Sequence, residues 1–362
     1  MLPGTMTRVL SVLLLLIWSA SVEAQPLGSE LAESWRAGGQ YFSWTSTVPD
    51  NAGRSVQVFY TCIGDVAKPT IVALHGFPTS SLDFRGLARA LQPDYRTCTL
   101  DFPGYGVSDK PSPYRYTLAD DAALVWAFVT TVVPLREFIL LSHDRGDSVA
   151  LNLLQLYQAS AHPPFRITHQ FLTNGNMYLP LANLTDFQKR MLDPATAPTA
   201  ARSVTSALLA VGLGQSNYTP PLKADDAEVK ALAAQFAYQN GIGVIPATIQ
   251  YLNERKEREV TFLETLSKSA IPATLMWGVH DLVAPVRVAD YVFTSALASR
   301  RAPSAFWLMP CGHHYVQHDQ PAEMARLIRA TLARQASGAP PQQAPFNLTP
   351  DACGPVLVRT NP

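Results

Sequence analysis

The run Leu140-Leu141-Ser142-His143-Asp144-Arg145-Gly146-Asp147 decides the reading of the chain. An apolar strand ends there, a turn follows with small residues two positions either side of an acid, and a helix begins at once. A sharp strand-to-helix turn of this kind lifts one side chain above the end of a parallel sheet, where it can attack a substrate. Serine is the residue expected at the apex; here it is Asp144. Serine attacks carbonyl carbon. A carboxylate is a weaker nucleophile suited to strained or activated sp3 carbon, so the apex points toward epoxide or carbon–halogen cleavage and away from ester hydrolysis.

The 362 residues are long for one compact core and imply a core with an insertion, or two domains. A hydrophobic share of 47% and a charged share of 15% describe a globular protein. A formal net charge of zero removes the electrostatic reason to expect nucleic acid or an anionic membrane as partner. Residues 1–24 read as a signal peptide: Arg8 precedes the apolar run Val9 to Trp18, and Val22 and Ala24 put small residues where a signal peptidase reads. The run is too short to span a bilayer comfortably, with an uncleaved anchor as the alternative, and no later stretch has transmembrane character. The expected location is secreted or periplasmic. In an oxidising compartment the four cysteines are expected in disulfides, for which three pairings exist, rather than in a metal site. Asn183, Asn217 and Asn347 begin possible glycan acceptor triplets.

Strand-like runs alternate with helical stretches, the pattern of an α/β protein with a mainly parallel sheet. Strands are expected at Ser55 to Thr61, Thr70 to Leu74, Tyr95 to Leu100, Glu137 to Leu141, Ile167 to Thr173, Ala273 to Trp277 and Ala305 to Met309. The predicted organisation is a first core part over 25–175, a helical cap over 176–270, a second core part over 271–336 and a loose Pro-rich tail over 337–362. Cys353 suggests that the tail is tied back to the body.

These motifs, in this order, resemble the α/β-hydrolase fold, and within it the epoxide hydrolase and haloalkane dehalogenase branch. The wording is most similar to the mesoderm-specific transcript proteins at His75-Gly76-Phe77-Pro78-Thr79-Ser80-Ser81, Ser108-Asp109-Lys110-Pro111, Leu141-Ser142-His143-Asp144 and Gln250-Tyr251-Leu252-Asn253-Glu254-Arg255-Lys256. The resemblance covers about Tyr41 to Ala336 and implies a mainly parallel eight-stranded sheet flanked by helices, with an inserted helical cap.

It also implies roles. Asp144 is the nucleophile, where the bland alternative is a helix N-cap. The backbone N–H groups of Phe77, in a turn whose proline is often cis, and of Arg145 form the oxyanion hole. The catalytic histidine lies five residues before an acid that is followed by any residue and proline. Counting back from Asp319 gives His314, although the Gly312-His313 pair suggests His313. Asp281, after the seventh strand, orients that histidine. Where many dehalogenases carry their acid after the sixth strand, this chain reads Asn174-Gly175-Asn176. Phe77 and Arg145 stand where halide donors are usual, so the common halide cradle is missing. Tyr251 matches the region of the ring-opening tyrosine of epoxide hydrolases, and Tyr218 is taken as its partner ahead of Tyr178 and Tyr238.

The implied reaction opens an epoxide to a vicinal diol through an alkyl ester on Asp144, with no cofactor or metal and a small apolar substrate. Haloalkane or haloacetate dehalogenation is the alternative. Haloacetate enzymes share His-Asp-Arg-Gly but carry a second arginine, where this chain has Asp147-Ser148-Val149. A non-catalytic binding or signalling role stays open, because the substrate of the mesoderm-specific transcript proteins is not settled. The family's strand order, which sets the second and fourth strands side by side and antiparallel, pairs Cys62 with Cys98 and leaves Cys311 for Cys353. Arg145-Gly146-Asp147 also matches an integrin-binding tripeptide, expected to be poorly exposed at the base of the turn. No motif bears on oligomeric state.

Overall fold

A computed structural model describes residues 25–339 and 353–361. The leader, residues 1–24, and the Asn347 triplet lie outside the described residues. Nine strands are present: β1 (Gln40–Thr45), β2 (Ser55–Ile63), β3 (Thr70–Leu74), β4 (Arg96–Leu100), β5 (Glu137–His143), β6 (Arg166–Thr173), β7 (Ala273–Gly278), β8 (Ser304–Met309) and β9 (Val356–Thr360). They make one sheet in the order β1-β2-β4-β3-β5-β6-β7-β8-β9. Strands β3 to β8 run parallel, while β1, β2 and β9 join antiparallel at the two edges. Each residue of β3 is buried, as expected of a continuous apolar run covered on both faces by helices.

Before and behind the sheet lie α1 (Glu30–Ala37), α2 (Arg85–Leu91), α3 (Leu118–Ala127) and α4 (Arg145–Ala159). Between β6 and β7 the chain is helical: α5 (Asp186–Leu192), α6 (Ala197–Arg202), α7 (Ser206–Asn217), α8 (Ala227–Ala237), α9 (Gly241–Thr248) and α10 (Tyr251–Lys268). The last three helices are α11 (Val286–Val292), α12 (Val316–Asp319) and α13 (Pro321–Ala336). A polar seam docks α10 on α4. Arg258 donates to Asn152 and Gln155, and the side-chain amides of Gln155 and Gln158 donate to Thr265 at 3.0 Å each. No helix among the described residues is long and apolar enough to cross a membrane.

The expectation of eight strands and a loose tail is corrected by β9. Val356-Leu357-Val358-Arg359-Thr360 is short, half exposed and surrounded by turn-forming residues, so its sequence signal is weak. Its place depends on the free edge of β8, which it covers. Asn361 fixes the far end by accepting from Ser304 N at 2.7 Å and donating to the carbonyls of Arg300 and Ala302. The near end is tied by the Cys311–Cys353 disulfide, and Gln320 Nε2 donates to Cys353 O at 2.7 Å. Cys62 and Cys98 face each other directly in the β2–β4 register and form the other bridge. Both pairings agree with the expectation from strand order.

The Cys311–Cys353 bridge closes a 42-residue separation. Cys353→Ala is expected to lower unfolding free energy by on the order of 3 kcal/mol, measured by denaturant titration, because the unfolded chain regains the entropy of that loop. An unchanged midpoint would mean that the bridge does not restrict the unfolded chain.

Candidate active site

The turn between β5 and α4 holds Asp144 at φ 50°, ψ −111°, a conformation that L residues adopt rarely and at a cost of about 1–3 kcal/mol. Two glycines make the geometry possible. A Cβ on Gly146 would lie 2.2 Å from Leu74 O, and one on Gly76 would lie 2.8 Å from the Cβ of Asp144. The helix therefore starts almost in contact with β3, and the loop after β3 passes directly beside Asp144. Asp144 N donates to Thr173 O at 3.0 Å, and Asp147 N donates back to Asp144 O at 3.1 Å. Arg145, Gly146 and Asp147 are all buried, which leaves no surface for a receptor to read that tripeptide.

Phe77 N–H donates to Asp144 Oδ2 at 2.9 Å, across a turn whose Phe77–Pro78 peptide is cis. His75 braces the same turn: its Nδ1 bonds Gly76 O at 2.8 Å, and its Nε2 accepts from Phe102 N at 3.1 Å. Burial holds its pKa down to about 3, so it stays neutral. The Arg145 side chain turns the other way. It is ion-paired with buried Asp121 and enclosed by the rings of Phe102, Tyr105 and Tyr251 at 5.0–5.6 Å.

His314 Nδ1 bonds Asp281 Oδ2 at 2.9 Å. Asp281 Oδ1 accepts from Val283 N at 2.7 Å and Ala284 N at 2.9 Å, which fixes the carboxylate before it meets the imidazole. His313 instead turns its Nδ1 back to accept from His314 N at 2.7 Å. Burial opposes charge on His314, yet the Asp281 carboxylate, its hydrogen bond and the Asp144 carboxylate outweigh it and raise the pKa to about 9. Asn174 escaped the sequence reading. It sits at φ 50° after β6, donates to Asp281 Oδ2 at 2.7 Å and accepts from Gly278 N at 3.1 Å.

Asp144 and His314 share a cleft of about 430 Å³, walled by Phe187, Leu208, Leu209 and Leu213 from α5 and α7, with Phe77, Leu282 and Tyr315. Among the described lining residues, Asp144 and His314 are the ionisable ones other than Tyr315. Tyr251 is buried at the start of α10, its ring 5.6 Å from that of Phe77. Burial, and then the nearby Asp144 carboxylate, push its phenol well above the usual value, so it remains a proton donor.

Tyr251 is not among the residues lining the cleft, and neither is Tyr218. Its ring stacks flat on Tyr315 at 4.6 Å, and Tyr315 is the one that reaches His314, at 5.1 Å. Tyr178 is stacked on Tyr291, and the Tyr238 ring lies under Lys110 Nζ. Among the described residues, no group of His, Cys, Asp and Glu side chains could hold a metal ion.

Residues 69–321 match the family model described as the alpha/beta hydrolase fold. The chain is 31% identical over 306 residues to a putative hydrolase, LipZ, of Mycobacterium tuberculosis, covering 84% of this chain and 99% of that one. It is 30% identical over 265 residues to the human mesoderm-specific transcript homolog protein, covering 72% and 76% of the two chains. It is 22% identical over 308 residues to epoxide hydrolase 3 of Xenopus tropicalis, covering 76% and 75%.

A histidine whose folded pKa is raised from 6.5 to about 9 contributes stability that is fully present below pH 6.5 and lost as pH rises through 9. The melting temperature of the protein should therefore exceed that of His314→Gln most near pH 6. The gap should narrow steadily by pH 10; a pH-independent gap would mean that His314 is not charged beside Asp281.

Proposed function

The chain belongs to the alpha/beta hydrolase fold family, and from that premise we propose that it hydrolyses epoxides to vicinal diols with Asp144 as nucleophile. The observation that carries this reading is the combination in one cleft of a carboxylate at the elbow apex, held by Phe77 N–H, and a histidine held by Asp281.

Oδ2 of Asp144 is engaged by Phe77, so Oδ1 attacks the less hindered epoxide carbon. Tyr251 donates a hydrogen bond to the ring oxygen as the carbon–oxygen bond breaks, and an alkyl ester forms through Oδ1. Alkylation removes the Asp144 charge that helps hold His314 protonated. That proton passes by way of Tyr251 to the alkoxide left by ring opening, which becomes the first hydroxyl of the product, and the neutral imidazole then takes a proton from water. The hydroxide attacks the ester carbonyl carbon, and the resulting oxyanion lies at the oxygen already bonded to Phe77 N–H, with the Arg145 N–H at the start of α4 as second donor. Collapse breaks the bond to Oδ1, and His314 returns its proton to the departing diol.

Two observations favour the epoxide over the halide and haloacetate readings. The Arg145 guanidinium is ion-paired with Asp121 in a buried aromatic enclosure and is not among the residues lining the cleft, so it is not placed to hold a halide or a substrate carboxylate. The Tyr251 phenol, on a ring packed 5.6 Å from that of cleft-lining Phe77, is held protonated by burial and the Asp144 charge, which supports it as the donor a ring oxygen needs. Helices α5 to α10, residues 176–270 in the sequence reading, act as the cap, since α5 and α7 supply the apolar wall. Tyr218, one ring behind the wall, supports Tyr315 rather than touching substrate. The protein is exported, a reading supported by the leader pattern and the two disulfides.

In heavy-oxygen water, a single turnover should release diol without label, because its new oxygen comes from Asp144 Oδ1, and should leave label in Asp144. Label in the first diol would mean direct attack by water. Asp144→Ala should cost at least about 10⁴-fold in kcat. Tyr251→Phe should cost about 10²-fold on epoxides while leaving the fold intact.

A further inference from the structure

Arg255 lies on α10 and is wholly buried. A guanidinium out of water is costly unless it is paired. The two arginines flanking it in space are paired, Arg145 with Asp121 and Arg258 with Glu254. Arg255 has no ion pair with a carboxylate among the described residues. Its Nε donates to Ser148 Oγ at 2.7 Å, its Nη2 donates to the main-chain oxygen of Asp144 at 3.0 Å, and its Nη1 has no partner. Burial pushes the carboxyl of Asp147, the other acid nearby, well above its ordinary value, and the Arg255 charge acts against that shift.

The same guanidinium stands 4.9 Å from the centre of the Tyr251 ring. That ring packs 5.6 Å from Phe77, whose N–H holds Asp144 Oδ2. A closed circuit therefore runs from the Asp144 carbonyl through Arg255, Tyr251 and Phe77 back to the Asp144 carboxylate. Its four members come from three parts of the chain, α10 supplying both Arg255 and Tyr251.

We propose that Arg255 is a positioning residue of the elbow, fixing the strained Asp144 main chain and the Tyr251 ring as one unit and placing a permanent buried positive charge at the Asp144 carbonyl. This rests on the reading of Asp144 as nucleophile. The negative charge on Asp144 vanishes when the ester forms and returns in the oxyanion when water attacks. A fixed cation opposes the first change and favours the second. Loss of Arg255 should therefore slow ester hydrolysis more than ester formation, whereas a merely loosened elbow would slow ester formation most.

The test uses the full mature chain, styrene oxide as probe, intact-protein mass to follow the adduct on Asp144, and amide exchange over residues 143–149. Arg255→Met should lower kcat about 10²-fold, accumulate the adduct and lower KM with kcat. Arg255→Lys, which keeps the charge without the forked geometry, should recover to within about 10-fold of the wild type. Elbow exchange should rise in Arg255→Met and in Ser148→Ala, which removes the Nε acceptor outside the cleft. Wild-type kcat with wild-type exchange in Arg255→Met overturns the proposal.

If Arg255→Met does not fold, Arg255→Lys and Ser148→Ala decide, and unaltered elbow exchange in both overturns it. A wild-type protein that neither gains an adduct from styrene oxide nor converts it to the diol defeats the epoxide reading, while the exchange comparison still decides the place of Arg255.

Discussion

The approach of α4 to β3 is the constraint on which the rest of the structure depends. Gly146 brings the helix start so near Leu74 O that no side chain could stand there. That closeness forces the chain into the φ 50° turn at Asp144, and the turn is what raises its carboxylate above the sheet. The loop after β3 must then pass within reach, and Gly76 lets it do so, bringing Phe77 N–H to Oδ2. Strain at one residue is thus held by packing against β3 and against the loop that follows it.

Electrostatics divides the buried charges into two kinds. Arg145 and Asp121 neutralise each other inside a wall of aromatic rings and take no part in a cleft. His314 and Asp281 also meet, but their pairing leaves the imidazole facing the same cleft as Asp144, with its pKa raised to about 9. The first pair secures the base of α4; the second suits a proton transfer. Arg255 belongs to neither kind, since its charge is offset by no carboxylate partner among the described residues.

Much of the candidate site was legible because it depends on short segments. The elbow, the His-Gly-x-Pro turn and the count from Asp319 back to His314 each lie within a dozen residues, where spacing fixes geometry. The tyrosines were less legible. Tyr218 and Tyr315 differ only in which ring stands in front, a matter of α7 packing against the loop after β8, and no periodicity encodes it. Asn174 was visible as a missing acid but not as a donor to Asp281, because its partner is 107 residues away. Arg255 lay inside a quoted motif, yet its meaning depends on the depth to which α10 sinks against α4.

By itself the sequence determined the alternation of strands and helices, the carboxylate at the elbow apex and the residues able to form a histidine–acid pair. These follow from local pattern: burial on both faces of a parallel strand, and small residues wherever backbones must nearly touch. Tertiary structure alone decided that the tail adds β9 to the edge of β8, that Tyr315 rather than Tyr218 walls the cleft, and that Arg145 points away from it. Each of these depends on which distant surfaces meet, and contacts between distant segments leave no spacing in the chain to be read.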